Sequence, residues 1–188
     1  AGAAGVGCYV PIAHGKIGAD LFGESAQLPG QIALRDALER LKPLLNDPFT
    51  LKIGHDLKFE ALVMAQHGIT IAPFDDTMLM SYALDAGRGG HGLSELAERH
   101  LGHLCLSMDD VLAHSAGAKK SAKTFAGVPI DKATEYAAEG ADVTLRLWSL
   151  LKPRLAAERV ATVYETLERP LIPVIAAMER DGIKVDRE

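Results

Sequence analysis

At 188 residues the chain is long enough to build one full hydrophobic core, and a hydrophobic content of 48% points to a globular fold rather than a disordered one. A net charge of -5 argues against a protein that grips duplex DNA through many phosphate contacts, while leaving room for a nucleic-acid enzyme that meets its substrate partly through metal ions. Two cysteines, Cys8 and Cys105, exclude a disulfide framework, and no apolar run approaches the ~20 residues of a membrane span; with no visible signal peptide, a reduced, cytoplasmic setting is expected.

In chain order, Gly7 to Ile12 reads as a strand, with Pro11 marking an edge or a strand end. A glycine-rich loop from His14 to Gly30 follows. Between Gln31 and Asn46, Leu34, Leu38, Leu41 and Leu45 fall at helical spacing, and Pro43 is expected to kink or weaken the last turn. Asp47-Pro48 closes that helix, and Leu51 to Ile53 forms a short apolar strand. Gly54 then leads into a helix with Asp56 as its expected cap and a buried stripe of Leu57, Ala61 and Met64, ending near His67-Gly68. Ile69 to Ile71 reads as extended, and Asp75 or Asp76 is expected to cap a helix running through Ala83. Gly87 to Gly90 is a turn, Leu93 to Leu101 a helix stopped by Gly102, and Ser107 the cap of a short helix through Leu112. A polar loop carrying Lys119, Lys120 and Lys123 precedes the longest helix, for which Asp131 is the expected cap and Tyr136, Gly140, Val143, Leu147 and Leu150 the buried face. A break is expected near Pro153 to Arg159, then a helical segment from Val160 to Arg180 interrupted by Pro170 and Pro173, and a turn at Asp181-Gly182 into a strand. Strand, helix, strand, helix and then mostly helices predicts an α/β sheet domain with a helical flank.

Two corners of this pattern carry chemistry. The strand-to-helix junction after Leu51 sets an acid, Glu60, one turn into a helix at a sheet end, where active sites of open α/β domains collect. Tyr136 and Gly140 lie one helical turn apart and share a face, whereas Asp142 points nearly opposite. The histidines, including His91, His100, His103 and His114, are scattered without the spacing of zinc ligands.

Ile53-Gly-His-Asp-Leu-Lys-Phe-Glu60, Asp76-Thr-Met-Leu-x-Ser-Tyr82, Leu93-Ser-Glu-Leu-Ala-Glu-Arg99 and Tyr136-Ala-Ala-Glu-Gly-Ala-Asp-Val-Thr144 together resemble the 3'-5' exonuclease domain of bacterial DNA polymerase I, a ribonuclease-H-like exonuclease of the family A polymerases. Tyr9-Val-Pro-Ile-Ala-His14 extends the resemblance toward the start. Arg169-Pro-Leu-Ile-Pro-Val174 through Gly182-Ile-Lys-Val-Asp186 looks like the connector into a polymerase domain, which implies an exonuclease-like domain over residues 1–158 and a connector over 159–188. The resemblance implies a mixed sheet flanked by helices and a two-metal phosphodiesterase using Mg or Mn, with four carboxylates holding the cations and a tyrosine orienting the attacking water.

The chain departs from that pattern at each carboxylate station. No Asp-x-Glu strand precedes Tyr9, so the first acidic strand of the family is missing from the chain. Glu60 stands where the family has aspartate, a methylene longer, and Gly140 stands where the family has an aspartate ligand. Tyr136 keeps the tyrosine position as a vestige, and Glu139 matches a family position that is not a ligand. Met108 matches a position where an aromatic side chain meets single-stranded DNA in the family, and Lys119, Lys120 and Lys123 are candidate phosphate contacts, each with a simple surface role as the bland reading. Gly140 costs its helix about 1 kcal/mol relative to alanine, and a small residue there suggests another segment packing close. The expectation is an exonuclease-type domain with lost or strongly weakened proofreading, no cofactor of its own, weak contact with a single-stranded 3' end, and a polymerase domain as partner in a parent DNA-directed DNA polymerase. The alternative is an active two-metal exonuclease whose first motif lies upstream. A related RNA-trimming nuclease is disfavoured by the polymerase-like connector.

Overall fold

The computed structural model describes residues 5–16, 26–27, 30–115 and 124–184. Two short ladders appear among them. β1 (Gly15–Lys16) pairs antiparallel with β2 (Ala26–Gln27). β3 (Lys52–Gly54) pairs parallel with β4 (Phe74–Asp76), with Ile53 opposite Asp75 and Gly54 opposite Asp76. Parallel neighbours need a crossover, and α2 (Leu57–Ala65) supplies it. α1 (Leu34–Asn46) leads into this unit, and α3 (Thr77–Asp85) leaves it directly from the end of β4. α4 (Leu93–Leu101) and α5 (Met108–Ala113) follow, then α6 (Ile130–Ala157), α7 (Ala161–Val163), a wide turn over Tyr164–Glu168 and α8 (Arg169–Asp181).

α6 is the organising element. Its 28 residues span about 42 Å at 1.5 Å per residue. Val143, Leu147, Leu151 and Leu155 recur every four residues and are fully buried against Met80 of α3, Leu96 and Ala97 of α4, and Tyr164. A second, smaller cluster gathers Val111, Val128 and Ala133 with the partly buried rings of Tyr9, Phe125 and Tyr136.

Several sequence expectations are corrected. α6 runs straight through Pro153 rather than breaking, because Leu151 and Leu155 on either side of the proline both sit in the main core, and that burial outweighs the lost backbone bond. α1 likewise continues through Pro43 to Asn46. Gly7 to Ile12 forms no strand; it lies against α6, so closely that a Cβ on Gly7 would come 2.9 Å from the carbonyl oxygen of Ala138. Ile69 to Ile71 is not a strand either. The second strand of the parallel pair is Phe74–Asp76, whose acids sequence reasoning assigned to a cap alone. Asp131 falls inside the first turn of α6, which begins after Pro129. Pro170 and Pro173 do not interrupt their segment: helical residues run on from Ala161 to Asp181, with Tyr164–Glu168 wound as a π-helix just before Pro170. The caps at Asp76 and Ser107 are as expected: Asp76 accepts from the N–H groups of Met78 and Leu79, and Ser107 from that of Asp110. Among the described residues no helix is long and apolar enough to cross a membrane.

The segment after α6 folds back onto the parallel pair. Asp75, 1% exposed in the middle of β4, accepts hydrogen bonds from Trp148 Nε1 at 2.8 Å, Tyr164 Oη at 3.0 Å, Lys152 Nζ at 3.1 Å and an Arg169 guanidinium nitrogen at 3.1 Å. Burial opposes its ionisation, but the Trp148 indole, the Lys152 ammonium and the Tyr164 hydroxyl outweigh it and hold the carboxyl below the usual carboxylate range. The Tyr164 hydroxyl also accepts the N–H of Asp76 at 2.9 Å, and Glu165 bridges Lys152 and Arg169 from outside. α8 then packs on α2 through buried Ile172 and an ion pair between Lys58 and Glu179.

Candidate active site

The turn from β3 into α2 is built around a glycine and an aspartate from the neighbouring strand. A Cβ on Gly54 would meet the Leu57 side chain at 2.5 Å, so the chain can double back there only without a side chain. Asp56 occupies the N-cap position of α2 in the left-handed region, φ 61°, but its side chain makes no cap bond. Asp76 replaces it: its carboxylate accepts the N–H groups of Leu57 at 2.8 Å, Asp56 at 3.3 Å, Met78 at 2.8 Å and Leu79 at 3.3 Å. One buried acid thus caps the N-termini of α2 and α3 together. Thr77 adds a second tie. Its hydroxyl donates to the Gly54 carbonyl at 3.1 Å, so toward His55 Nδ1, 2.9 Å away, it must accept. That network places a proton on Nδ1.

The junction opens onto a pocket of about 380 Å³ whose lining includes Ile53, His55 and Glu60 on one side and Gly140, Ala141 and Thr144 of α6 on the other. Glu60 is the only carboxylate among its lining residues. Glu60 Oε2 and His55 Nε2 are both buried without a hydrogen-bond partner among the described residues. Burial pushes the Glu60 carboxyl up to about 7; the negative charges of Asp56 and Asp76 add to the shift, and its own backbone N–H opposes it. Burial lowers the basicity of His55 against the pull of Asp76 and Asp56, which favours a neutral imidazole.

Gly140 faces this space from α6. A Cβ there would touch only Leu93 Cδ2, at 3.8 Å, so no segment packs against the glycine and the expectation of a close approach is not met. The Thr144 hydroxyl donates back to the Gly140 carbonyl at 2.8 Å, one helical turn earlier.

Glu60 and Gly140, the two stations singled out by the resemblance, line one pocket although they are far apart in the chain. Tyr136 shares the helix face of Gly140 but lies outside the pocket lining, in the aromatic cluster, with its ring 6.0 Å from that of Phe125. Met108, 43% exposed at the first position of α5, is also outside it. Lys119, Lys120 and Lys123 lie outside the described residues. His55 was missed. Its only signal in the sequence is its place between Gly54 and the helix, and its meaning depends on Thr77, a residue of another element.

Paired magnesium ions require several hard oxygens in near-octahedral geometry. The pocket's described lining offers one carboxylate, held partly neutral, and one imidazole nitrogen, with Thr144 already bonded to the helix. These residues do not fit a two-magnesium centre.

A family model described as 3'-5' exonuclease matches residues 5–156. The chain is 53% identical over 180 residues to a DNA polymerase I of Rhizobium leguminosarum, covering 96% of this chain and 17% of that protein. It is 39% identical over 186 residues to a DNA polymerase I of Pseudomonas aeruginosa, covering 97% of this chain and 19% of that protein. The chain thus spans less than a fifth of the length of these curated relatives. Among solved structures, the Pol1 POL domain of M. smegmatis in complex with DNA primer-template and dNTP superposes with a TM-score of 0.65 at 22% identity, over 88% of this chain and 25% of that one. Brucella melitensis NrnC with bound Mg2+ superposes with a TM-score of 0.58 at 24% identity, over 76% of this chain and 64% of that one. At such identities the likeness is one of fold: the α/β domain with a helical flank expected from the order of elements, in the ribonuclease-H-like form that the family resemblance implied.

Proposed function

The chain belongs to the 3'-5' exonuclease family, and from that premise we propose that it is the exonuclease-type domain of a bacterial DNA polymerase I whose proofreading is lost or strongly weakened. Its remaining role is architectural, as a cytoplasmic platform that sits beside a polymerase module and weakly guides a single-stranded 3' end. The observation that carries this reading is the pocket itself. Two ligand stations of the family fall within the chain, and they line one space, but one is a glycine, which leaves Glu60 as the one carboxylate of the described lining. One carboxylate facing a glycine supplies too few hard oxygens to hold paired cations.

The kinship to full-length polymerases supports the partner assignment. Residues 159–188 are the connector in this proposal. The Asp75 network fastens their start to the sheet, while Leu171, Val174 and Met178 on α8 remain 45%, 52% and 64% exposed. Apolar surface of that kind suits a neighbouring module.

The test is a nuclease assay on an end-labelled single-stranded oligonucleotide with magnesium or manganese. The expected result is no 3' trimming above background. Robust trimming that disappears in Glu60→Ala would overturn the proposal in favour of a working two-metal exonuclease.

A further inference from the structure

A different cluster carries metal-binding chemistry outside the family's stations. We propose that His103, Cys105 and Glu139 form a site for one divalent transition metal of the zinc class, with three protein ligands and a fourth position open to solvent. The ligating atoms of the three side chains all lie within 4.8 Å of one another. His103 and Cys105 are two apart on the stretch between α4 and α5, which has neither helix nor strand, and that spacing on an extended chain puts both side chains on one side. Glu139 reaches them from α6, 36 residues away in the chain from His103, which is why the histidine spacing gave no sign of the site.

The donor set is specific. Imidazole nitrogen, thiolate sulfur and a carboxylate oxygen are what zinc and cobalt prefer, and a hard ion such as magnesium would not choose them. The carboxylate is already oriented: Oε2 accepts the N–H of Leu106 at 2.8 Å, leaving Oε1 for the metal, as outer hydrogen bonds do in metal sites. Oε1 now holds His103 Nε2 at 2.8 Å. Tetrahedral ligation would open that separation to about 3.3 Å and draw the sulfur to about 3.6 Å from the nitrogen. The His103 side chain is 37% exposed and that of Glu139 20% exposed, which gives the ion a way in and leaves room for a water ligand. Binding exchanges the thiol proton for the metal and releases the proton to solvent. The bound ion would tie the stretch between α4 and α5 to α6 at the residue next to Gly140.

Cobalt(II) reports such a site directly, because thiolate-to-cobalt charge transfer absorbs in the near ultraviolet and tetrahedral cobalt absorbs strongly in the visible. The reduced chain is titrated with cobalt(II), then with zinc(II). The expected result is one-to-one saturation with both features, bleached by one equivalent of zinc. Cys105→Ser, which exchanges a single atom, should abolish the charge-transfer band, and His103→Gln and Glu139→Gln should each weaken binding about tenfold or more. Cys8→Ser and Glu60→Gln should leave the spectrum unchanged, which separates this site from the pocket. Absence of the thiolate band, its survival in Cys105→Ser, or its loss in Cys8→Ser would overturn the proposal. Far-ultraviolet circular dichroism of each variant confirms that loss of signal is not loss of fold.

Discussion

Glu60→Gln makes the chain more stable at alkaline pH and leaves it unchanged at acidic pH. Glu60 is an acid whose folded pKa, about 7, lies above its ordinary value of 4.5. The folded state therefore binds the proton more tightly than the unfolded state. Stability from this group is fully present below pH 4.5 and is lost as pH rises through about 7. At 1.36 kcal/mol per unit, the shift from 4.5 to about 7 corresponds to about 3 kcal/mol. Partial access of solvent to the carboxyl trims this to about 2 kcal/mol. Glutamine has the shape of the protonated acid and does not titrate. Urea unfolding followed by the fluorescence of the single tryptophan, Trp148, at pH 4.5, 6, 7 and 8.5 with a chelator present gives the two stability curves. The curves should coincide at the acidic end and diverge by about 2 kcal/mol at pH 8.5 in favour of the variant. A gap that stays flat with pH would refute the reasoning. So would a wild type more stable than the variant at pH 8.5, which is the behaviour of a carboxylate held ionised by a cation or a donor.

Three further outcomes follow from the same geometry. Gly140→Ala should stabilise the chain by about 0.5–1 kcal/mol in the same unfolding assay, since the helix gains propensity and the new Cβ meets only Leu93 at 3.8 Å. Gly140→Asp should raise manganese affinity about tenfold or more by calorimetry, because it adds a second carboxylate to the Glu60 pocket in space that is open. Asp75→Asn should destabilise by about 3 kcal/mol, because Lys152 and Arg169 lose their buried counter-charge and an amide nitrogen must face one of four donors; a loss under about 1 kcal/mol would show that the network relaxes freely.

The sequence makes legible what depends on local pattern or on recurring motifs. The helices containing Leu34, Leu57, Leu93 and Tyr136 follow from apolar spacing, and the caps at Asp76 and Ser107 from residue type. Glu60 and Gly140 come together as the motifs imply. What escapes is whatever a distant partner decides. Pro153 reads as a breaker until Leu151 and Leu155 are seen buried on both sides of it. Asp56 reads as a cap, but the role falls to Asp76, which arrives across the sheet and can serve two helices at once. Asp75 reads as a second cap candidate, and only the docking of Trp148, Lys152, Tyr164 and Arg169 turns it into a buried ionic centre. His103, Cys105 and Glu139 meet across 36 residues with no ligand spacing to announce them.

That division also bears on the proposed function, because the fold does not depend on the pocket's ligand positions. The apolar core is the stripe of Val143, Leu147, Leu151 and Leu155 against α3, α4 and Tyr164, and the sheet is fastened through Asp75 and Asp76. Glu60 and Gly140 belong to neither; they form the walls of a cavity. A carboxylate without its cation is a cost at such a position, because it is desolvated and faces Asp56 and Asp76. Replacing an acid there by glycine removes part of that repulsion for only about 0.3 kcal/mol of helix propensity relative to aspartate. Under the proposed function, a site that gathers no cations would gain by having fewer charges, and the helix that carries it has enough buried surface elsewhere to tolerate the change.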